Sequence, residues 1–493
     1  MGAFTFFLRL SFTSYVLLLV FISCSESVSA EKGEGEITDG GLHNLRTHAI
    51  RLSSVVLEAT CSPSPLTSTS IKGSSTKPSL KILHKHNPCS KSKRTKSSEN
   101  LLMDILQQDR ARVESVQHRL LDDVRKDLLK SSKAKLPAQS GRSIGTGNYI
   151  VRVGFGTPKK DLTLIFDTGS DLTWIQCEPC AKACYSQQDP IFDPSKSTSY
   201  SNITCNTTEC NKLKSATGIT PGCSASTSAC IYGIQYGDQS FSVGYFAHET
   251  LTISPSDVFP KFLFGCGQNQ EGLFAGAAGL IGLGRDTLSL VSQTASKYGR
   301  VFSYCLPSRT SSIGYLALGQ TGISSSVKFT PMLSDSRSAG FYFIRMTDFS
   351  VGGRKLGIPN SVFTTSSTII DSGTVITRLP PSAYTPLRTA FRNAMSKYPL
   401  TDPISILDTC YDLTNYTTVL IPKIGMFYSP GIMVDVDPSG ILIAATASQV
   451  CLAFAPNTDD GDVAILGNTQ QKNLEVIYDV AKGRVGFGPG SCG

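Results

Sequence analysis

Two aspartates lie at equivalent positions of an internal repeat and could together carry out acid–base chemistry. Residues 164–170 read LIFDTGS and residues 368–374 read TIIDSGT, so each segment carries one aspartate, Asp167 or Asp371. Each half then continues to two apolar residues and a glycine, LIG at 280–282 and ILG at 465–467. The repeat predicts two homologous halves related by an approximate two-fold axis.

The chemistry of such a pair follows from the turns that would hold it. An apolar strand leading into Asp-Thr-Gly or Asp-Ser-Gly places a carboxylate at a buried turn, where the glycine lets the backbone double back closely. Carboxylates about 3 Å apart cannot both ionise, so one keeps a proton while the other stays charged. The charged member can deprotonate a bridging water for attack on a peptide carbonyl, and the protonated member can hydrogen-bond to the carbonyl oxygen. No covalent intermediate is required.

The elements that must position the aspartates are mainly strands. From about Gly145 onward the chain consists of short runs rich in β-branched and aromatic residues, separated by Gly, Asn, Asp and Pro. Residues 149–155, 163–166 and 341–346 are strand candidates, and the chief helix candidate is 383–396. The fold class expected from this pattern is mainly β.

On these motifs the chain resembles the pepsin-like aspartic protease family over about residues 145–493. The resemblance implies two homologous β-rich lobes with the active-site cleft between them and Asp167 and Asp371 as the catalytic pair. It also implies that the Thr168 and Ser372 hydroxyls lock the two turns together. It further implies that the hydroxyls of Ser170 and Thr374 hydrogen-bond to the outer carboxylate oxygens, and that Gly169 and Gly373 support the pair.

A hairpin between the two aspartate segments resembles the mobile flap of that family. Residues 232–240 read YGIQYGDQS, so the match makes Tyr236 the flap tyrosine, followed by Gly237 and Asp238. Such a flap closes over substrate and excludes water. The alternative for Tyr236 is an aromatic ring packed on a sheet. We expect Trp174, the single tryptophan, to fill a packing role.

Fifteen cysteines indicate an oxidising compartment. One lies in the expected signal segment and two lie in the front part, and the other twelve could form six disulfides: Cys177, Cys180, Cys184, Cys205, Cys210, Cys223, Cys230, Cys266, Cys305, Cys410, Cys451 and Cys492. A metal site at Cys177 and Cys180 is disfavoured, because no companion pair completes a tetrahedral set. No metal or cofactor is expected.

The cysteine-dense stretch 177–230 resembles the plant nepenthesin-type branch, as do the KHNPC segment at 85–89 and QDRAR at 108–112. Sequence reasoning leaves the connectivity open, because many pairings are possible. The pairing that the resemblance implies is Cys177–Cys180, Cys184–Cys266, Cys205–Cys230, Cys210–Cys223, Cys305–Cys492 and Cys410–Cys451.

The amino terminus predicts secretion. Residues 1–30 contain one basic residue, an apolar run at 16–22 and small residues up to Ala30, which is typical of a cleaved signal peptide. An uncleaved membrane anchor is the alternative, but the apolar run is short for a span of about 20 residues. Sequons at Asn202, Asn206 and Asn415 predict glycosylation in a secreted chain. The expected location is the apoplast, with a vacuole as the alternative.

The segment 31–140 is expected to be a prosegment. The net charge of +8 comes mostly from the front of the chain, and the Ser/Thr/Lys-rich part at 31–98 predicts little fixed structure. Apolar residues at three- and four-residue spacing over 101–121 predict an amphipathic helix. We expect this basic segment to lie over the cleft, held by ion pairs that weaken when carboxylates protonate. A solvated helical linker is the alternative. The two lobes are then expected at 141–330 and 331–493.

These observations predict a monomeric aspartic endopeptidase that acts on polypeptides at acidic pH. A serine or cysteine hydrolase is disfavoured because residues 136–493 contain one histidine, His248. An inhibitor or binding protein on the same fold is the first alternative. The second is DNA binding, because the chain also resembles plant aspartic proteases described as nucleoid DNA-binding proteins. Its basic residues would be Lys91, Lys93, Arg94, Lys96, Lys130, Lys133 and Lys135. A prosegment accounts for those charges equally well, and a secretory rather than transit-type amino terminus argues against a plastid, so nucleic-acid binding is disfavoured.

Overall fold

The structure is a computed structural model that describes residues 45–55, 79–85, 87, 98–125, 149–236, 240–272, 274, 276–309, 311–319, 324–335, 338–365, 367–490 and 492. All of them belong to one compact unit, Glu36–Gly493. The expected signal peptide at 1–30 lies outside the described residues. Within these ranges no helix is long and apolar enough to cross a membrane.

The front part contributes two strands and one long helix: β1 (Thr47–Arg51), β2 (Ser79–His84) and α1 (Ser98–Arg125). The predicted helix at 101–121 is therefore confirmed.

The strands of the first half of the repeat are β3 (Tyr149–Phe155), β4 (Lys160–Asp167), β5 (Trp174–Gln176), β6 (Ser201–Asn202), β7 (Gly222–Cys223), β8 (Cys230–Gln235), β9 (Phe241–Ser254), β10 (Asp257–Glu271), β11 (Gly279–Gly282), β12 (Val301–Cys305) and β13 (Ile313–Leu318). The short helices of this half are α2 (Thr208–Asn211), α3 (Leu213–Thr217), α4 (Leu290–Gln293) and α5 (Ala295–Tyr298).

The strands of the second half are β14 (Lys328–Pro331), β15 (Phe343–Ile344), β16 (Met346–Val351), β17 (Arg354–Lys355), β18 (Thr368–Ile370), β19 (Thr377–Leu379), β20 (Leu400–Thr401), β21 (Cys410–Asp412), β22 (Thr418–Pro422), β23 (Ile424–Tyr428), β24 (Ile432–Asp435), β25 (Leu442–Ala444), β26 (Gln449–Leu452), β27 (Phe454–Pro456), β28 (Ala464–Leu466), β29 (Leu474–Asp479) and β30 (Arg484–Pro489). Its helices are α6 (Asn360–Thr365) and α7 (Pro381–Ala394). Four 3-10 turns lie at Leu52–Ser54, Pro194–Lys196, Pro438–Gly440 and Asn468–Gln471.

The predicted strand at 341–346 is split at Arg345 into β15 and β16, which pair with different neighbours. Helix α7 begins two residues earlier than expected, because Pro381 is well suited to a first helical position, where no backbone N–H is needed.

The two-fold repeat is present in the strand pairing. In the first half the order β3-β4-β11-β5-β10 is paired antiparallel, parallel, antiparallel and parallel. In the second half β15-β18-β28-β19-β27 repeats the same order and the same directions. Strands β4 and β18 lead into the two aspartates, and the residues just before each aspartate, LIF at 164–166 and II at 369–370, are apolar and buried because both strands lie in the interior of their sheets. The fold is therefore bilobal and mainly β.

The two halves join beneath the aspartates through aromatic side chains. Strand β12 pairs antiparallel with β29, which brings Tyr304 and Tyr478 together with their hydroxyl oxygens 3.0 Å apart. Phe302 stacks on Tyr478 with ring centroids 4.5 Å apart. Phe166, the residue before Asp167, packs edge-on against Tyr304 at 5.1 Å. The first aspartate turn thus rests on a core to which both halves contribute.

The expectation of little fixed structure at 31–98 is wrong for β1 and β2. Strand β2 lies between β13 and β3 in the longest sheet, and β1 pairs with β22 of the second half. Leu80 and Ile82 of β2 are buried. Both strands are short and isolated in sequence, so their stability comes from neighbours far along the chain.

Four of the six implied disulfides are paired differently in the structure. Cys305–Cys492 and Cys410–Cys451 are confirmed. The others are Cys177–Cys266, Cys180–Cys184, Cys205–Cys223 and Cys210–Cys230.

Strand pairing explains why Cys177 bonds to Cys266 and not to Cys180. Strand β5 runs parallel to β10 with Ile175 opposite Cys266, and the N–H of Cys177 donates to Gly267 O at 2.7 Å. Cys177 and Cys266 are thereby brought together, with Cα atoms 5.4 Å apart.

Burial explains why Cys210 bonds to Cys230 and not to Cys223. Cys210 on α2 and Cys230 on β8 are both buried and bond to each other. Cys223 is exposed and bonds to the half-buried Cys205.

The disulfides should differ in their contribution to stability according to the length of chain that they close. Replacing Cys305 and Cys492 with alanine opens a loop of 187 residues and should lower the free energy of unfolding by about 5 kcal/mol. The control, alanine at Cys180 and Cys184, opens a loop of 4 residues and should cost about 2 kcal/mol. Denaturant unfolding of the two double variants tests the difference, and equal losses would contradict it.

Candidate active site

Asp167 and Asp371 lie at equivalent turns with both side chains fully buried. Asp167 is the last residue of β4 and Asp371 directly follows β18. The strand that carries the apolar-apolar-glycine segment lies behind each turn: β11 pairs with β4 in the first half and β28 pairs with β18 in the second. In the first half Asp167 lies opposite Gly282. A Cβ at Gly467 would lie 2.7 Å from Val375 O, so the repeated glycine allows the strand to approach the loop after the aspartate.

Each carboxylate accepts the same two hydrogen bonds from its own turn. The hydroxyl of Ser170 donates to Asp167 Oδ2 at 2.6 Å, and the hydroxyl of Thr374 donates to Asp371 Oδ2 at 2.6 Å. The N–H groups of Gly169 and Gly373 donate to the Oδ1 atoms at 3.0 and 2.9 Å. The two-fold symmetry therefore extends to the individual carboxylate oxygens.

A reciprocal pair of hydrogen bonds ties the two turns together. The N–H of Thr168 donates to Ser372 Oγ at 3.1 Å, and the N–H of Ser372 donates to Thr168 Oγ1 at 2.9 Å. The predicted hydroxyl contacts of Thr168, Ser170, Ser372 and Thr374 are all present in the structure. Glycine is needed beside them, because a Cβ at Gly169 would lie 2.6 Å from Asp371 Oδ1.

A single arginine of α1 bridges the two carboxylates. Arg112 Nε and Nη2 donate to the two oxygens of Asp371 at 2.9 Å each, and Nη2 also donates to Asp167 Oδ1 at 2.6 Å. One nitrogen thus contacts the inner oxygens of both aspartates. Burial raises the pKa of Asp371, but the charge of Arg112 and the hydrogen bonds outweigh burial and hold this pKa below its ordinary value.

Helix α1 lies in the cleft with apolar contacts on both sides of Arg112. Toward its amino end, Leu102, Ile105 and Leu106 pack with apolar residues of the second half that include Val375, Ile376 and Leu407. Toward its carboxyl end, Val113, Val116 and Leu120 pack with Phe341, Phe343, Ile369 and Ile465. Gln117 adds two hydrogen bonds to the backbone of Val463, at 2.7 and 2.9 Å.

A second charged residue of α1 is held by the loop after Asp371. The Asp109 carboxylate accepts from the N–H of Val375 and, at 3.2 Å, from the N–H of Ile376. Its Oδ2 lies 2.9 Å from Arg378 Nη2. The basic, amphipathic pattern predicts that this segment lies over the cleft, but it gives no role to Asp109, Arg112 or Arg378. Asp109 and Arg112 lie at three- and four-residue spacing from the buried apolar residues of the helix. Charged residues on the apolar face of an amphipathic helix are the sequence signal that could have identified them.

The hairpin expected as a flap joins β8 to β9. Tyr236 N donates to Ser240 O at 2.8 Å, and Trp174 Nε1 donates to the Tyr236 hydroxyl at 2.8 Å. Phe274 packs edge-on against both rings. Trp174 is fully buried in the packing role expected of it. Gly237 and Asp238 lie outside the described residues.

The other predicted site residues are not at the aspartates. Asn202, Asn206 and Asn415 are exposed, as glycan acceptors must be. His248 lies on β9, and its Nδ1 is hydrogen-bonded to Lys261 O at 3.1 Å. The basic residues considered for DNA binding, at 91–96 and 130–135, fall outside the described ranges. Where side chains are described, no cluster of His, Cys, Asp and Glu is placed to hold a metal ion.

Two family models match consecutive parts of the chain. One, described as xylanase inhibitor N-terminal, matches residues 149–320, and the other, described as xylanase inhibitor C-terminal, matches residues 341–489. Each match contains one of the two aspartate motifs.

Named relatives are aspartic proteases. An aspartyl protease family protein of Arabidopsis thaliana is 53% identical over 449 residues, which cover 90% of this chain and 93% of the relative. Aspartic proteinase nepenthesin-2 of Nepenthes gracilis is 38% identical over 379 residues, 74% of this chain and 83% of the relative.

A solved structure shares the fold at low sequence identity. Basic 7S globulin from soybean matches with a TM-score of 0.56 and 21% identity, covering 70% of this chain and 91% of that protein. At this identity the likeness supports the bilobal architecture alone.

The reciprocal hydrogen bonds between the turns should stabilise the fold measurably. Replacing Thr168 with valine removes the hydroxyl and leaves the buried N–H of Ser372 without its acceptor. We expect the free energy of unfolding to fall by about 1–3 kcal/mol. Thr418→Val, at an exposed position of β22, is the matched control and should change stability by less than about 0.5 kcal/mol. Equal stabilities of the two variants in denaturant unfolding would contradict the assigned bond.

Proposed function

Because the chain belongs to the pepsin-like aspartic protease family of plants, we propose that it is an aspartic endopeptidase made as an inactive precursor. The observation that carries the proposal is the complete pair of turns, in which Asp167 and Asp371 keep every hydroxyl and N–H contact that positions their carboxylates. Two carboxylates buried side by side lower the stability of the fold, because they are desolvated and repel each other. A protein that only binds its target gains nothing from such a pair.

The pair acts through a water molecule held between the inner carboxylate oxygens. One carboxylate is charged and takes a proton from the water as it attacks the peptide carbonyl, while the other keeps a proton and donates a hydrogen bond to the carbonyl oxygen. The proton taken from the water then passes to the amide nitrogen as the C–N bond breaks, so the products are a carboxylic acid and an amine and the pair again holds one proton. Ser170 and Thr374 hold the outer oxygens, so both inner oxygens face the substrate. One proton must stay on the pair, so the activity has an acidic optimum.

The substrates are polypeptides with apolar residues near the cleaved bond. In the precursor, apolar side chains of α1 pack against apolar residues of the second half on both sides of Arg112. When the helix leaves, those residues of the second half become free to contact apolar side chains of the substrate. Tyr236 lies at the base of the flap, where it would close over an extended peptide and exclude water.

Helix α1 makes the precursor inactive in two ways. Arg112 places a guanidinium nitrogen against the inner oxygens of both aspartates, where the water must sit. The rest of the helix occupies the cleft that a substrate needs. Activity therefore requires that α1 leave, and we propose that the chain is cut between about Lys135 and Asn148, which separates the prosegment from the two lobes.

Acid weakens the contact at Arg112. The pKa of Asp371 is depressed while Arg112 is bound, so this contact stabilises the bound helix above the ordinary aspartate pKa of about 3.9 and is lost as pH falls through the depressed value. Asp109 acts in the opposite direction. Burial raises the pKa of Asp109 despite Arg378, so protonation of Asp109 favours the bound helix. Release at low pH therefore depends on the contact between Asp371 and Arg112.

Secretion is part of the proposal. The expected signal at 1–30, the six disulfides and the exposed sequons at Asn202, Asn206 and Asn415 support export to the apoplast or a vacuole.

Catalysis should depend on both carboxylates. Asp167→Asn and Asp371→Asn should each reduce cleavage of a denatured protein by at least about a thousandfold, because an amide cannot act as the base or share the proton. The assay is cleavage across about pH 3–8 after acid incubation. Asp435→Asn, at an exposed position of β24, is the control and should keep full activity. Equal turnover in all variants would defeat the mechanism, and an inactive but folded wild type would favour the inhibitor alternative.

Removing the bridge at Arg112 should make the precursor easier to activate. Arg112→Met leaves the two buried carboxylates without their cation, which should weaken binding of α1 by about 3–5 kcal/mol. We expect activity to develop at a higher pH and within a shorter incubation than in the wild type, measured by peptide cleavage and by release of the front segment.

The control for this experiment lies on the same helix. Arg110 pairs with Glu114, and both side chains are more than half exposed. Arg110→Met should leave the activation pH unchanged, because exposed pairs contribute little. If Arg112→Met and Arg110→Met behave alike, Arg112 does not hold the precursor inactive.

A further inference from the structure

Arg378 is a buried cation in the wall of the cleft. It lies on β19 with only 3% of its surface exposed. Its Nη1 donates to the carbonyl of Ile376 at 3.1 Å, and its Nη2 lies 2.9 Å from Asp109 Oδ2. Within the part of the chain that the structure describes, Asp109 is the one carboxylate that forms an ion pair with Arg378.

The surroundings of the Asp109 carboxylate form a built anion site. Two backbone N–H groups, of Val375 and Ile376, donate to its oxygens, and the Arg378 guanidinium supplies the charge. Asp109 itself is 2% exposed. Two N–H donors and a cation around one carboxylate favour its ionised form, and they oppose the burial under α1 that raises the pKa of Asp109.

The site lies next to the catalytic pair. Val375 directly follows Thr374, whose hydroxyl holds Asp371. On α1, Asp109 precedes Arg112 by three residues, which is a rise of about 4.5 Å along a helix. The carboxylate site is therefore within one helical turn of the point where Arg112 covers the two aspartates.

Departure of α1 leaves the site without its anion. Asp109, which pairs with Arg378, and Glu114, whose negative charge also acts on it, both belong to α1. Without Asp109 the guanidinium keeps the carbonyl of Ile376 and water as partners, so a substrate carboxylate that takes the place of Asp109 forms a charge-assisted contact that a neutral side chain cannot form. Leu102, Ile105 and Leu106 vacate the apolar wall beside the site at the same time.

We infer that Arg378, with the N–H groups of Val375 and Ile376, forms a specificity subsite that binds an acidic side chain of the polypeptide substrate. Asp109 occupies this subsite in the precursor as a stand-in for that side chain. The inference rests on the proposed endopeptidase activity and adds a substrate class to it: peptides with Asp or Glu at one fixed position near the cleaved bond and apolar residues around it.

The test compares peptides that differ by one charge. A peptide with an apolar core receives Asp, in turn, at each of the three positions on either side of the cleaved bond, and each is paired with its Asn counterpart. The enzyme is activated in acid and assayed at about pH 5, where a peptide Asp is mostly ionised. At one position the wild type should prefer Asp over Asn by about tenfold or more in kcat/KM, as expected for hydrogen bonds to a charged group.

Three variants locate the preference. The main variant is the double replacement Asp109→Asn with Arg378→Met. Both residues are replaced because Arg378→Met alone would leave the Asp109 carboxylate buried without a cation in the precursor. In the double variant the Asp-to-Asn ratio should fall to about one. Asp109→Asn alone is the matched control, because the activated enzyme has lost α1 and should show the wild-type ratio. Arg388→Met removes a half-buried arginine of α7 that pairs with Asp408, and it should also keep the ratio.

The outcomes separate the two proposals. A wild type that cleaves the neutral peptides but shows no acidic preference at any position overturns the subsite and leaves the endopeptidase standing. A preference that survives in the double variant also overturns the role of Arg378. A wild type that cleaves none of the peptides overturns the endopeptidase, and the subsite with it.

Discussion

Two carboxylates buried side by side need either a shared proton or a cation against them, and the structure is organised around that requirement. In water each carboxylate would ionise freely, but without exposed surface their mutual repulsion has no solvent to screen it. Arg112 meets the requirement in this structure, because one of its nitrogens contacts the inner oxygens of both Asp167 and Asp371. In the activation that we propose, Arg112 leaves and a proton has to take over, which makes the same pair suited to catalysis.

The internal repeat supplies the rigidity that this arrangement needs. Each aspartate turn is held by a hydroxyl, a glycine N–H and an apolar strand, and the same three supports occur in both halves. Thr168 and Ser372 then join the turns by two bonds across the two-fold axis. Because the supports are duplicated, neither carboxylate can shift without breaking contacts in its own half.

The front of the chain acts both as a structural element and as an occupant of the cleft. Strands β1 and β2 pair with strands of the two lobes, whereas α1 lies in the cleft and uses apolar, acidic and basic side chains there. Arg112 and Asp109 contact the groups that the proposed reaction and its specificity would use. The helix thus occupies the cleft much as a substrate would, and its side chains indicate what the cleft accepts.

The family resemblance implied the supporting hydroxyls, and the sequence by itself determined what local pattern can encode: the two aspartate motifs, the amphipathic helix and the mainly β fold. These depend on residues within one turn, strand or helix of each other. Tertiary structure alone decided the partners of Cys177 and Cys210, the pairing of β1 and β2, and the meeting of Asp109 with Arg378. Each of these joins segments that are distant in sequence, and their proximity depends on strand register and burial, which no short pattern contains.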